Sequence, residues 1–316
     1  YTGFVNHPAP RPLVAVAGPT ASGKSHLAIR IALQFNGEIV NCDSLQLYRG
    51  FDIGTAKPRA EELALASHHL ISVLEPDQDS NAGHWTRLAA EAIRGISARG
   101  ALPIIAGGTG FYLRALLDGL SPGPERDSGL RARLSRAEQR RKGFLHRLLS
   151  RLDPPTAGRI HPNDTNKLTR AIEICAASGS PASEVFNRGR TPLEGYTALK
   201  LVLNPPRDAL HEAIAARTAR MWNAGLLEEV RGLLAAGVSP ASKPFESLGY
   251  KEALACIEGR MSPQQAIERT TIETRQYAKR QITWFRREPH VCWLDGFGFD
   301  ARVQERAFEL ISSLVS

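Results

Sequence analysis

The sequence predicts an α/β fold with a parallel sheet core, and three observations carry that prediction. Short apolar runs alternate with helical patterns between Leu13 and Ala106. The first run breaks into "GPTASGKS", an instance of G-x-x-x-x-G-K-[ST] between a strand and a helix. The alternation then stops at a turn-rich, arginine-rich stretch and strand character returns only near Leu199. Alternating strands and helices imply a parallel sheet covered on both faces.

"LVAVA" (Leu13–Ala17) reads as a buried first strand, followed by the glycine loop and a helix over Lys24 to Gln34. "EIVN" (Glu38–Asn41) gives a second strand ending at Asp43, and "HLISV" (His69–Val73) a third. Trp85 to Arg99 has a helical apolar pattern, and "LPIIA" (Leu102–Ala106) is a strand running into "GGTGFY". "DGLSPGPERDSG" (Asp118–Gly129) is a linker. Helical segments follow at Leu130 to Leu149 and Asn163 to Ala177. "LKLVL" (Leu199–Leu203) is a further strand; the last third is mainly helical, with a late strand at "VCWL" (Val291–Leu294). This layout is that of a P-loop nucleoside-triphosphate-hydrolase-like parallel sheet core with an inserted helical domain. The core takes residues 1–118 and 196–316, and the insertion takes 119–195.

Composition narrows the partners. The 316 residues are 42% hydrophobic and 23% charged, ordinary for a globular chain that can bury a full core. Four cysteines lie far apart without a C-x-x-C pair, which indicates neither a zinc site nor a disulfide framework and suits reduced thiols in the cytoplasm. No apolar run approaches the roughly 18 residues that span a bilayer, so no membrane partner is expected. "YTGFVNHPAPRP" lacks the layout of a signal peptide and reads as a flexible lead-in. The formal charge is +8; residues 119–195 hold 14 Lys+Arg against 8 Asp+Glu, a net of +6. Such a surface suits a polyanion such as nucleic acid, although a solvated helical face has the same composition.

The phosphate loop comprises Gly18, Pro19, Thr20, Ala21, Ser22, Gly23, Lys24 and Ser25. Its glycines let backbone N–H groups approach phosphate oxygens, and the following helix N-terminus adds its dipole. Lys24 reaches the terminal phosphates and the Ser25 hydroxyl is a Mg²⁺ ligand. The motif is silent on which reaction follows. Asp43, directly after the second strand, faces that loop; taken alone it reads as a helix N-cap or a group near Mg²⁺.

"GPTASGKS", "DSLQLYRGFDIGTAKP", "GGTGFYLRALLDGL", "HPNDTNKLTRAIEI", "SLGYKE" and "YAKRQITWFRR" occur in that order. Together these six blocks, spread from about Leu13 to Trp293, resemble the bacterial tRNA dimethylallyltransferases, the tRNA isopentenyl transferase family. The resemblance implies transfer of a dimethylallyl group from dimethylallyl diphosphate to the exocyclic N6 amine of the adenine 3′-adjacent to the tRNA anticodon. Diphosphate leaves, so the phosphates in the loop belong to the prenyl donor. Asp43 then matches the general base. An ordinary carboxylate, with a pKa of about 3.9, accepts the proton only once the forming N–C bond has made nitrogen acidic.

The same resemblance implies that Thr109 and Arg217 act on the diphosphate. Alone, Thr109 reads as a helix cap and Arg217 as a helix-surface arginine, with Arg220 as a competitor. For tRNA it implies Asp43, Ser44, Leu45 and Gln46, then Asn166, Lys167, Leu168, Thr169 and Arg170, with Arg131 nearby in the insertion. Ser247, Leu248, Gly249, Tyr250, Lys251 and Glu252 form a third stretch. Lys279, Arg280, Arg286 and Arg287 add basic contacts, while Trp284 and Phe285 read as core. The insertion is expected to grip the anticodon stem-loop, and a monomer suffices. ATP can occupy the loop without being a productive substrate. Rival readings are an adenylate isopentenyltransferase acting on free nucleotide, a P-loop small-metabolite kinase, and a non-catalytic RNA-binding module.

Overall fold

The computed structural model describes residues 10–121, 123–124, 126–187 and 189–316. Most of the expected lead-in, residues 1–9, lies outside them. The described chain divides into two compact units, one comprising Asp118–Leu193 and the other the flanking segments.

The larger unit is built on six parallel strands. These are β1 (Arg11–Ala17), β2 (Gly37–Asn41), β3 (His68–His69), β4 (Leu102–Ala106), β5 (Tyr196–Leu203) and β6 (Val291–Leu294). They lie in the order β3-β2-β4-β1-β5-β6, and every pairing is parallel. β1 is central, which is why its last five residues are all buried. Four helices of this unit precede the insertion: α1 (Lys24–Gln34), α2 (Ala60–Leu65), α3 (Ala82–Ala98) and α4 (Gly110–Leu117).

The smaller unit consists of α5 (Ser128–Arg140), α6 (Phe144–Leu152), α7 (Pro154–Ala157), α8 (Thr165–Ser178) and α9 (Ala182–Asn187). The core unit resumes with α10 (Arg207–Asn223), α11 (Leu226–Ala235), α12 (Tyr250–Ile257), α13 (Pro263–Phe285) and α14 (Ala301–Val315).

Period-two alternation along the strands sorts their side chains to two faces. Val14, Val16, Ile104 and Leu201 pack with Leu27 and Ile31 of α1 and Ala307 and Ile311 of α14. Buried Trp85 of α3 donates its Nε1–H to Asn41 O at 2.9 Å and stacks on Tyr112 of α4, tying these helices to the strand end.

Two expectations are corrected. The third strand stops at His69, because Leu70 (φ 62°) and Ser72 (φ 52°) take left-handed backbone that cannot continue a ladder. Leu70 O instead accepts from Asn41 Nδ2 at 2.9 Å. The helical run expected over Leu130 to Leu149 is two helices. Gly143 (φ 78°) turns the chain, and the Glu138 carboxylate accepts from Gly143 N (2.6 Å) and Leu145 N (2.9 Å), satisfying the start of α6.

The smaller unit has its own apolar core, including Leu134, Leu145, Leu149, Leu168 and Ile172. Two buried carboxylates brace it. Glu173 is gripped by Arg131 through two bonds, at 2.6 and 2.5 Å. Asp153 accepts from Thr156 N (3.1 Å), Ser183 N (2.7 Å) and Ser183 Oγ (3.0 Å). Burial alone would push each carboxyl up, but these bonds outweigh it and hold both below the usual range.

Candidate active site

The phosphate loop leaves the carboxyl end of β1, the edge where ligands bind in parallel sheets. Gly18 (φ 142°) and Gly23 (φ 85°) have backbone that side chains rarely adopt. A Cβ on Gly18 would meet Leu203 O at 3.0 Å. α1 then begins at Lys24 without a side-chain cap, so its first N–H groups are left for another acceptor.

Neighbouring loops complete the surroundings. β2 delivers Asn41, Cys42 and Asp43. Asn41 Oδ1 accepts from Asp43 N (3.1 Å), and Asp43 Oδ1 accepts from Leu45 N (2.9 Å), folding "DSLQ" into a tight turn. β4 delivers Gly107 and Gly108, where side chains have no room. A Cβ would stand 2.2 Å from Cys42 O at Gly107 and 2.1 Å from Gln281 Nε2 at Gly108. α10 contributes Arg217, whose Nη1 donates to Thr20 Oγ1 at 3.1 Å.

These parts open onto one cavity of about 750 Å³. Thr20, Ala21, Gly23, Lys24 and Ser25 line it together with Asp43, Gln46, Gly107, Gly108, Arg217 and Arg220. Arg217 is the arginine bonded to the phosphate loop, whereas Arg220 is exposed on the cavity's rim. Lys24 Nζ donates to Pro19 O at 2.7 Å. Burial, and then the neighbouring Arg217 cation, pull the Lys24 ammonium down to about 7, against the opposing pull of Asp43. Burial lowers Arg217 as well. Two desolvated cations beside a helix N-terminus make a strong anion receptor, since a bound anion relieves both.

Other expected residues fall elsewhere. Thr109 stands one residue behind the cavity-lining glycines and opens α4, its carbonyl accepting from Tyr112 N at 2.9 Å. Gly18, Pro19 and Ser22 are buried and do not line the cavity. Ser44 and Leu45 are part-exposed within the Asp43 turn. In the smaller unit Asn166 and Lys167 are exposed, Thr169 and Arg170 are part-exposed, and Leu168 is fully buried. Arg131 is committed to Glu173. Tyr250 and Glu252 are buried, and Glu252 accepts from Gly249 N at 2.7 Å, capping its own helix. Ser247, Leu248 and Lys251 are part-exposed, with Lys251 ion-paired to Glu273.

Lys279, Arg280, Arg286 and Arg287 are exposed at the end of α13. Three of them, all but Arg286, line a second cavity of about 340 Å³ with Arg114 and Trp284. The Arg114 guanidinium sits 4.4 Å from the Trp284 ring centre and pairs with Glu288.

Sequence reasoning missed Gln281. Its Oε1 accepts from Thr20 N at 2.8 Å and its Nε2 donates to Gly108 O at 2.9 Å, joining the two glycine loops. The available signal was an uncharged polar residue on the buried face of a basic helix.

Comparison with known proteins places this geometry. The family model described as IPP transferase matches residues 46–288, well over half the chain. The chain belongs to the IPP transferase family. A second model, isopentenyl transferase, matches residues 12–72. The tRNA dimethylallyltransferase of Solibacter usitatus is 54% identical, over 96% of this chain and 99% of that protein. The one from Koribacter versatilis is 49% identical, over 95% and 98%. Among solved structures, the tRNA isopentenylpyrophosphate transferase of Bacillus halodurans aligns with a TM-score of 0.72 at 34% identity, over 96% and 97%. A eukaryotic dimethylallyltransferase acting on tRNA aligns with a TM-score of 0.82 at 27% identity, over 96% of this chain and 80% of that one. This IPP transferase thus has the P-loop nucleoside-triphosphate-hydrolase-like core that its sequence predicts.

Proposed function

We propose that the chain transfers a dimethylallyl group from dimethylallyl diphosphate to N6 of the adenine 3′-adjacent to the anticodon of tRNA, releasing diphosphate. The observation that carries this reading is that the phosphate loop and Asp43 line the same cavity. A leaving group and an acceptor of the amine proton must both be within reach of one allylic carbon. Family membership and the names of the relatives support the same chemistry.

In this reading the diphosphate sits on the α1 N-terminus between Lys24 and Arg217, which stabilise the charge that builds as the allylic C–O bond breaks. The adenine N6 lone pair attacks the allylic carbon from the Asp43 side. As the N–C bond forms, nitrogen becomes acidic and its proton passes to the Asp43 carboxylate. Thr109, next to the cavity-lining Gly108 but not itself on the cavity wall, keeps its expected action on the diphosphate only as part of this proposal.

Mg²⁺ fits these residues in a limited way. The Ser25 hydroxyl is exposed in the cavity. Among the described residues no group of three or more His, Cys, Asp or Glu could hold a metal. The ion would be held by Ser25, diphosphate oxygens and water, the sparse protein ligation that Mg²⁺ tolerates. It would supply further charge neutralisation on the leaving group.

For RNA, the insertion's net charge of +6 supplies phosphate contacts to the anticodon stem-loop, and the exposed basic end of α13 adds to them. The target adenine is unstacked and read at its edges by the Asp43–Gln46 turn. One chain supplies every residue named, so a monomer suffices. No helix among the described residues is long and apolar enough to cross a membrane, and a tRNA substrate puts the reaction in the cytoplasm.

The test is incubation with labelled dimethylallyl diphosphate, Mg²⁺, AMP, ATP and an anticodon stem-loop carrying the target adenine. Label entering RNA is expected. Label entering free AMP instead identifies an adenylate isopentenyltransferase, and ATP turnover without label identifies a kinase.

A further inference from the structure

Residues 52–58 contribute to one wall of the cavity, yet they have no regular secondary structure to hold them. Their anchor lies on α11. The Glu229 carboxylate accepts from two successive backbone groups through Oε2, Asp52 N at 3.1 Å and Ile53 N at 2.8 Å. Its other oxygen accepts from the hydroxyl of Tyr250, and that hydroxyl accepts from Gly54 N at 3.0 Å. One carboxylate and one phenol therefore satisfy three consecutive N–H groups. Tyr250 is fully buried and packs on Phe51, with ring centres 4.9 Å apart. A Cβ at Gly54 would stand 2.3 Å from the Tyr250 ring, so the backbone lies directly against it.

The far side of the same segment holds Gln46. Its Nε2 donates to Thr55 O (3.1 Å) and Ala56 O (3.2 Å). With the NH₂ group committed, the amide presents Oε1 as its acceptor, and Gln46 lines the cavity beside Asp43. A continuous chain of bonds thus runs from Glu229 through the 52–56 backbone to a side chain in the Asp43 turn.

We propose that Glu229 is a positioning residue for the nucleobase. By fixing residues 52–54 it fixes the carbonyls that orient Gln46, and so the pose of the adenine, without touching the reacting atoms. The inference rests on the proposed transfer to RNA. It requires both side-chain oxygens as acceptors, because Asp52 N and Ile53 N take one and the Tyr250 hydroxyl takes the other, and glutamine offers only one acceptor oxygen. The phosphate loop shares none of these bonds, so donor binding is spared.

A double-mutant cycle tests this with Glu229→Ala and Gln46→Ala, singly and together, using labelled dimethylallyl diphosphate and the anticodon stem-loop. Each single change is expected to raise KM for RNA about 10-fold with KM for the donor held within about 2-fold. The double variant should be no worse than Gln46→Ala, since both act through one contact. Glu229→Gln, which keeps one acceptor, replaces alanine in the same cycle if alanine unfolds the protein, with a smaller rise expected. Effects that multiply, an unchanged KM for RNA, or equal rises for both substrates overturn the inference alone. Wild-type protein that labels no RNA overturns the proposed function and this inference with it.

Discussion

Gln281 Nε2 donates to Gly108 O across 2.9 Å, while the same amide's oxygen takes Thr20 N, so one side chain spans two loops of different strands. Gln281 is buried, and its loss would leave Gly108 O with its remaining bond from Gly110 N and Thr20 N open to the cavity. Gln281→Leu should cost about 1 kcal/mol for each bond lost. Gln281→Glu keeps the Thr20 acceptor but loses the donor and adds negative charge near the anion site. Diphosphate affinity by calorimetry should therefore fall further in Gln281→Glu than in Gln281→Leu. The reverse order would show that the bridge serves only stability.

Asp43 braces its own turn through Leu45 N, so the choice of substitution matters. Asparagine keeps that acceptor and removes the base. Single-turnover transfer by Asp43→Asn should fall at least about 10²-fold, with RNA binding by filter retention retained. A variant with wild-type turnover would show that another group takes the proton.

Gly298, in the turn after β6, donates to Ser22 O at 2.9 Å, and a Cβ on it would lie 2.2 Å from Gly23 O. Gly298→Ala must shift the phosphate loop or the turn packed against it, at a cost of about 1–3 kcal/mol of overpacking. KM for the donor should rise while RNA affinity stays within about 2-fold. An unchanged donor KM would mean that the loop absorbs the shift elsewhere.

Asp153 carries a pH signature. Its carboxyl is held below the usual range in the fold, so it stabilises the smaller unit when ionised. That contribution is full above the ordinary carboxylate pKa of about 3.9 and is lost as pH falls through the lower folded value. Asp153→Asn should be less stable than wild type at pH 7, and the gap should narrow on acidification below about pH 4. Amide exchange across residues 144–187 measures it, and a gap independent of pH would remove the charge from the account.

Much of the site was legible because its constraints are local. A phosphate loop needs glycine where backbone must turn and approach an anion, and Gly18 and Gly23 stand where the motif puts them. Asp43 was legible as a polar residue ending a buried strand. Gln281 and Glu229 were not, because their partners lie 261 and 177 residues away in the chain for the longest bonds. Tyr250 and Leu168 sit within motif blocks, yet burial gives them packing roles that spacing alone cannot reveal. The third strand failed for a related reason. "HLISV" has strand chemistry, but left-handed backbone at Leu70 and Ser72 ends the pairing.

By itself the sequence determined the strand–loop–helix that carries the glycine motif, the alternation that makes a parallel sheet, and the basic insertion that interrupts it. These follow from side-chain period, glycine and charge, which act over a few residues. Only the tertiary structure decided that Arg217 rather than Arg220 bonds the loop, that Gln281 joins the loops of β1 and β4, and that Glu229 anchors residues 52–54. Those choices depend on which helix faces enter the interior, where every buried donor needs an acceptor and distant segments compete to supply it.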